Sequence, residues 1–281
     1  MKLHVIHAGL FKLDGGAMFG VVPKVLWSKY QKPDENNLCT WAMRCLLIET
    51  DDKKILIDTG MGDKQDEKFF SHFHPHGAYS LLGSLKDKGF TPEDITDVVL
   101  THLHFDHGGG AVSKNEKGEF FNTFPNATYW VDQVHLDWAL NPNAREKASF
   151  LKENIQPLVD SGKVEFVTEY TQIIPELTFG LCGGHTEGML IPFINFEGKT
   201  VVFMADLLPS PSHIPIAWVM GYDIRPLDTV REKEVFLKDA VDKDYILFYE
   251  HDAYTEASKV QATDKGNYKA KDLGSLKDLI G

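Results

Sequence analysis

Several things are scarce in this 281-residue chain, and each scarcity closes a class of answer. Positive charge is in deficit: 29 Lys and Arg stand against 41 Asp and Glu, a net charge of -12. An acidic surface repels phosphate backbones, so no nucleic-acid partner is expected. Cysteine is rare and odd in number, with Cys39, Cys45 and Cys182 in no CxxC pair. That excludes a disulfide framework and a structural zinc knuckle, and reduced thiols fit a cytoplasmic location. No apolar run reaches the length of a membrane span, so no membrane partner is expected either. The opening MKLHVIHAGLF reads as a first strand and not as a secretory leader. There is no GxSxG elbow, no P-loop and no GxGxxG run, which removes the serine-triad and nucleotide-cradle chemistries. Repeats, low-complexity tracts and Pro/Gly/Ser linkers are also missing, and the chain reads as one domain over residues 1–281.

What is present is an alternation of strand and helix patterns, the mark of layered sheets with helices outside. Arg44 to Glu49 and Lys54 to Asp58 read as a hairpin turned by Asp51-Asp52-Lys53. Ala78, Leu81, Leu82 and Leu85 give an amphipathic helix, and Val98-Val99-Leu100 a buried strand. Further strands are expected at 127–131, 163–167, 177–181, 199–204 and 245–249. Thr229 and Glu232 read as a capping box opening a late helix. Near the start, Asp14 to Gly20 holds three glycines in seven residues. It reads as a loop, either plain surface or the wall or lid of a pocket, with Met18 and Phe19 as its apolar side chains.

The densest chemistry lies in Thr101-His102-Leu103-His104-Phe105-Asp106-His107-Gly108. Imidazole and carboxylate are good ligands for divalent ions such as zinc. In an extended chain His102, His104 and Asp106 point one way, and the three glycines 108–110 offer a turn that redirects His107. Three further candidates each follow a strand: His185 after Gly183-Gly184, Asp206 after Val201 to Met204, and His251 after Ile246 to Tyr249. A second alternating cluster, His72, His74 and His76, lacks a carboxylate and reads as surface or pocket rim.

Read together, these segments resemble the metallo-β-lactamase superfamily. THLHFDHGGG is similar to its signature, Leu56 to Gly60 to its upstream strand motif, and Gly183 to Gly188 to its GHTxG motif. Met204-Ala205-Asp206 and Glu250-His251-Asp252 match the motifs bearing its bridging aspartate and last histidine. The resemblance implies an α+β fold, a four-layer αβ/βα sandwich of two mixed sheets flanked by helices. It implies two divalent metal ions, zinc first, with iron, manganese or cobalt as alternatives. His102, His104 and His185 would hold one, Asp106, His107 and His251 the other, and Asp206 both, with Asp58 orienting a ligand.

Two close cations lower the pKa of a shared water, which makes hydroxide available to attack an electrophilic carbonyl or phosphoryl centre. Asp106 is the expected proton shuttle. His at 104, where oxygen-reducing relatives carry Glu, disfavours a redox role. The tract Asp206 to Pro209, His213 and Met220 to Pro226 resembles the lactonase and organophosphate-hydrolase branch. Where lactonases of that branch carry a tyrosine three residues past the bridging aspartate, this chain has Pro209; Tyr222 and His213 are the candidate replacements. The expected activity is hydrolysis of a lactone or carboxylic ester. A phosphotriester or phosphodiester hydrolase, or a non-catalytic metal-containing binding protein, are the alternatives. Met18, Phe19, Phe105 and Trp218 are candidate walls of an apolar pocket for a small-molecule substrate; the oligomeric state is open, with a homodimer as one candidate assembly.

Overall fold

The computed structural model describes residues 1–168 and 170–281. The chain forms two compact units, Met1–Phe11 with Met43–Tyr170, and Lys12–Ala42 with Thr171–Gly281. In chain order the described strands are β1 (Lys2–Asp14), β2 (Leu38–Glu49), β3 (Lys54–Ile57), β4 (Asp97–Val99), β5 (Val112–Lys114), β6 (Phe120–Asn122), β7 (Thr128–Val131) and β8 (Val164–Phe166). β9 (Leu177–Cys182), β10 (Met189–Phe196), β11 (Lys199–Phe203), β12 (Ile246–Phe248), β13 (Ala257–Ala262) and β14 (Tyr268–Gly274) follow.

The first unit is built on a six-stranded sheet in the order β1-β2-β3-β4-β7-β8. β2 and β3 form the expected antiparallel hairpin, from Leu46 opposite Ile57 to Glu49 opposite Lys54. β3, β4, β7 and β8 are parallel neighbours. Parallel strands buried on both faces read as unbroken apolar runs, and Ile55–Ile57 and Val98–Val99 are fully buried. Leu47, Leu56, Val98 and Tyr129 pack with Leu81, Leu85, Leu136, Ile155 and Leu158 from helices in one core. Because Ile57 pairs with Val99 and Val99 with Trp130, the strands end level. Asp58, Thr101 and Asp132 therefore leave the same sheet edge, and Asp58 N–H bonds the Val99 carbonyl at 2.9 Å.

The second unit carries a sheet in the order β14-β13-β12-β11-β10-β9. Its pairs are antiparallel except β11 and β12, where Phe203 lies opposite Phe248 in parallel register. β9 also runs the way of β11, since each is antiparallel to β10. Three strands thus finish at one edge, at Cys182, Phe203 and Phe248. His185, Asp206 and His251 each sit three residues beyond those ends.

Three local readings change. Residues 15–19 form a short helix, not a loop: Asp14 caps it by accepting from Ala17 N–H, and Met18 and Phe19 are buried. The amphipathic helix starts at Leu81 and not Ala78, because Ser80 accepts from Gly83 N–H and sets its N-cap. The late helix runs Pro226–Asp242, so Thr229 lies inside it instead of capping it. Pro226 at the first turn, with φ fixed by its ring, begins the helix earlier. The His72 cluster is exposed: His72 lies in the last turn of the helix Glu67–Phe73, His74 is its left-handed C-cap, and His76 bridges to Leu10.

Candidate metal-binding site

In the first unit, the segment after β4 does not stay extended through Asp106. It turns into a short helix, Phe105–Gly108, directly after His104. The turn is held by His107 N–H and Gly108 N–H, both donating to the His104 carbonyl, and by Phe105 N–H donating to the Ser149 carbonyl at 3.0 Å. The glycines that follow are not needed for a left-handed turn. They are needed for proximity: a Cβ at Gly109 or Gly110 would collide with the carbonyl of Met61 or Thr59. Thr59 N–H and Thr59 hydroxyl both donate to the His107 carbonyl at 2.8 Å, and Lys64 donates to the Gly109 carbonyl. The segment is thus clamped onto the loop that follows β3.

Asp58 organises this clamp. It is fully buried, at φ +56, and its carboxylate accepts from Thr101 N–H at 2.7 Å and Thr101 hydroxyl at 2.6 Å. His107 Nδ1 lies 3.1 Å from the same carboxylate. With the Thr101 hydroxyl proton given to Asp58, the Thr101 oxygen is left to accept from His102 Nδ1–H at 3.1 Å. One buried carboxylate therefore sets both rings with the proton on Nδ1 and the lone pair on Nε2. This is the outer support that metal-ligating histidines need. The rings are crowded, with centroids 3.9 Å apart for His102 and His107 and 4.6 Å for His102 and His104. His104 Nε2 faces Glu146 at 3.4 Å, and Glu146 is itself held by Trp138 and Asn143. His102, His104, Asp106 and His107 are all buried.

The second unit gathers His185, Asp206 and His251, again all buried. His185 Nδ1 lies 3.0 Å from Asp223, and His251 Nδ1 donates to the Ala42 carbonyl at 2.8 Å. Asp206 presents one carboxylate oxygen to His185 Nε2 and the other to His251 Nε2, each at 3.1 Å. With Nδ1 donating on both rings, each Nε2 lone pair is aimed at a carboxylate oxygen. That arrangement is repulsive alone and is relieved by positive charge at those positions, a second proton on each ring or a cation.

The loop carrying His185 is pinned to the long helix. Glu232 accepts from Gly183 N–H at 2.7 Å and Gly184 N–H at 3.2 Å. Arg225 donates to the Gly183 carbonyl at 2.9 Å and pairs with Glu187 at 2.6 Å. Gly184 lies against the Thr229 backbone, where a Cβ would collide. Glu232, read from sequence as half of a capping box, instead holds the loop that carries His185.

The other predicted residues fall in different places. Phe105 is buried against Phe69 and Phe73, with centroids 5.2 and 4.4 Å away. Met18, Phe19 and His213 are buried together in the second unit, Phe19 stacked on His213 at 4.7 Å and on Trp27 at 5.3 Å. Trp218 meets Phe19 edge-on at 5.9 Å. His213 accepts or donates at both nitrogens, to Ser210 at 2.8 Å and the Met18 carbonyl at 2.9 Å. Burial pushes its pKa down to about 3, which keeps the ring neutral. Tyr222 is the exposed member, at 38%.

Sequence reasoning missed Glu146, His135 and Asp223. His135 is fully buried and accepts Leu103 N–H at Nε2, 2.8 Å, which fixes the backbone between His102 and His104. None has a local signal: their partners lie 42, 32 and 38 residues away. The likeness of the tract Met220 to Pro226 to the lactonase and organophosphate-hydrolase branch was the one hint for Asp223.

Comparison with known proteins shows which family the chain is similar to. The model of the metallo-beta-lactamase superfamily matches residues 44–251, which takes in residues of both units. The crystal structure of a probable metal-dependent hydrolase from Staphylococcus aureus is similar at 31% identity and a TM-score of 0.85, covering 98% of this chain and 96% of that one. An N-acyl homoserine lactonase of Bacillus thuringiensis is 28% identical over 276 residues, 92% of this chain and 95% of that protein. A dizinc quorum-quenching lactonase solved with a product shares the fold, with a TM-score of 0.77 and 23% identity over 96% of this chain and 93% of that one. With its fold, its motifs and most of its length matched, the chain belongs to the metallo-beta-lactamase superfamily.

Proposed function

We propose that this metal-dependent hydrolase opens lactones bearing an apolar acyl chain, N-acyl homoserine lactones foremost, with two divalent ions held by seven residues. His102, His104 and His185 are assigned to one ion, Asp106, His107 and His251 to the other, and Asp206 to both. The observation that carries the metal reading is the tethering of His102, His107, His185 and His251 through Nδ1, which turns every Nε2 outward as a donor. A set of five imidazoles and two carboxylates suits zinc, and also iron, manganese or cobalt. The substrate reading is supported by the lactonase relatives, which match this chain nearly end to end.

Bound ions would supply a water of lowered pKa and a Lewis acid for the carbonyl. The chain's own residues supply the rest. Asp58, Asp223 and the Ala42 carbonyl hold the ligand rings in one tautomer. Asp106 carries the proton that the attacking water gives up. Water oxygen bonds to the carbonyl carbon, the ring C–O bond breaks, and the leaving alkoxide takes a proton, so that a hydroxy acid results and one proton is released overall as the acid ionises. Pro209 offers no hydroxyl to help there, and His213 is neutral, buried and engaged at both nitrogens. We assign the helper role to Tyr222, next to the ligand-orienting Asp223.

The test is a panel of N-acyl homoserine lactones, simple lactones, aryl esters and phosphotriesters, offered to protein reconstituted with each metal in turn. Lactones with apolar acyl chains should turn over fastest, with Tyr222→Phe slowing ring opening and leaving metal content unchanged. Metal-loaded protein that cleaves phosphotriesters and leaves lactones intact would overturn the substrate reading.

A further inference from the structure

Within a chain of net charge -12, residues 15–33 hold Lys24, Lys29 and Lys32 and no Asp or Glu at all. The same stretch buries one side and leaves the other apolar. Met18, Phe19, Trp27 and Gln31 point into the second unit. Facing water are Val21 at 93% exposure, Val25 at 73%, Leu26 at 42% and Tyr30 at 62%. A surface helix ordinarily turns polar side chains outward; here four large apolar ones stand out within ten residues. Tyr30 meets the Trp218 ring edge-on at 5.6 Å, which carries the patch on to exposed Ala217.

The patch is presented rigidly. Gly20 takes φ +56 and lies so close to the 219–221 backbone that a Cβ would sit 2.8 Å from the Val219 carbonyl. Gly221 N–H donates to the Ala17 carbonyl at 2.7 Å, and the turn 23–27 closes on the Pro23 carbonyl. Trp27 anchors the turn from beneath by stacking on Phe19.

We propose that this face docks on an anionic lipid bilayer surface, with Val21, Val25 and Leu26 entering the boundary of the acyl region, Tyr30 at headgroup level and the three lysines against lipid phosphates. Exposed apolar groups close together mark interaction sites, and apolar side chains interspersed with exposed lysines, as Lys24, Lys29 and Lys32 are here, are the pattern of interfacial attachment. Lysine stems lie along apolar matter while their ammonium groups reach the charged layer. Charge selects this occupant. A second copy meeting through the same face would bring two sets of three lysines together. A protein partner would need pockets shaped to Val21 and Val25, which a bilayer does not. The acidic remainder of the molecule is repelled by an anionic surface, so contact is confined to this patch. At its margin Asp34 is paired with Lys12 at 2.7 Å, and Glu35 is exposed. Attachment is peripheral, since no described helix is long and apolar enough to cross a membrane. It revises the sequence-based expectation of no membrane partner, and it stands whatever the substrate.

Flotation of the full chain with phosphatidylglycerol-rich vesicles, against pure phosphatidylcholine vesicles, tests it. Wild-type protein should float with the anionic vesicles, less with neutral ones, and less again at high salt. Lys24→Gln/Lys29→Gln/Lys32→Gln should lower the partition on the order of 100-fold. Val21→Ser/Val25→Ser should abolish flotation too, with the thermal midpoint and hydrolysis unchanged in both variants. Absence of wild-type flotation overturns the proposal, as does equal binding to both vesicle types or variants that float like wild type. A concentration-dependent dimer lost in Val21→Ser/Val25→Ser, without flotation, would assign the face to a second copy instead.

Discussion

Asp206 is the residue on which the second unit's chemistry turns, because both of its oxygens face histidine nitrogens. Asp206→Ala should lose bound metal by elemental analysis and lose hydrolysis with it; metal-free variants of full activity would sink the ligand assignment. Asp223 acts one layer further out. Asp223→Ala should weaken metal affinity by roughly 10–100-fold, measured by calorimetric titration, while the far-ultraviolet circular dichroism stays as in wild type. His213 makes a pH prediction. Its folded pKa is pushed down to about 3 from the ordinary 6.5 by burial. Below pH 6.5 the unfolded chain takes a proton that the folded chain refuses. Stability from this group is thus complete above that pH and falls between 6.5 and about 3, by up to about 1.4 kcal/mol per pH unit. Thermal midpoints of wild type and His213→Gln should converge as pH drops through that window. At this scale the sequence is readable where candidate ligands are dense or follow a strand: His102 to His107, His185, Asp206 and His251 all stand out as donors, and the structure buries each of them. Glu146, His135 and Asp223 do not, since each acts on a partner brought near only by folding.

At the scale of elements, strand ends do the positioning. The parallel register of β11 on β12 sets Asp206 and His251 level, and that of β3 on β4 sets Asp58 beside Thr101. These strands are plain in the sequence as short apolar runs. Their pairing is not, because register depends on neighbours far along the chain. The turn after His104 was also hidden, for alternation reads as extended chain; local bonds to the His104 carbonyl close the helix Phe105–Gly108, beside one tertiary bond from Phe105 N–H to the Ser149 carbonyl. Gly110→Ala tests that clamp: overpacking against the Thr59 carbonyl should cost about 1–3 kcal/mol by chemical unfolding and lower metal retention together. Glu232→Gln tests the anchor of the His185 loop. It keeps the shape and loses the charge that two backbone N–H groups share, so metal affinity should fall with little change in unfolding midpoint. A drop in stability with metal affinity intact would mean that Glu232 serves the helix alone.

At the scale of the molecule, each of the two units contributes its own cluster of candidate ligands, His102 to His107 from one and His185, Asp206 and His251 from the other. Fold class was legible because the motifs occur in family order, and the family match over residues 44–251 agrees. Substrate was less legible. The glycine-rich segment 14–20 reads as a loop, either plain surface or the wall or lid of a pocket; the structure makes residues 15–19 a capped helix in which Met18 and Phe19 are buried. Apolar residues on a glycine-rich segment look alike whether they line a pocket or fill a core; only packing partners separate the cases.

Metal content read against lactone opening is the most direct measurement of the two-ion reading. Protein stripped by chelator and titrated with zinc should recover ring opening, followed by proton release, as the second equivalent per chain binds, and elemental analysis of the active protein should give two ions per chain. Full ring opening with one ion per chain, or in metal-free protein, would contradict it.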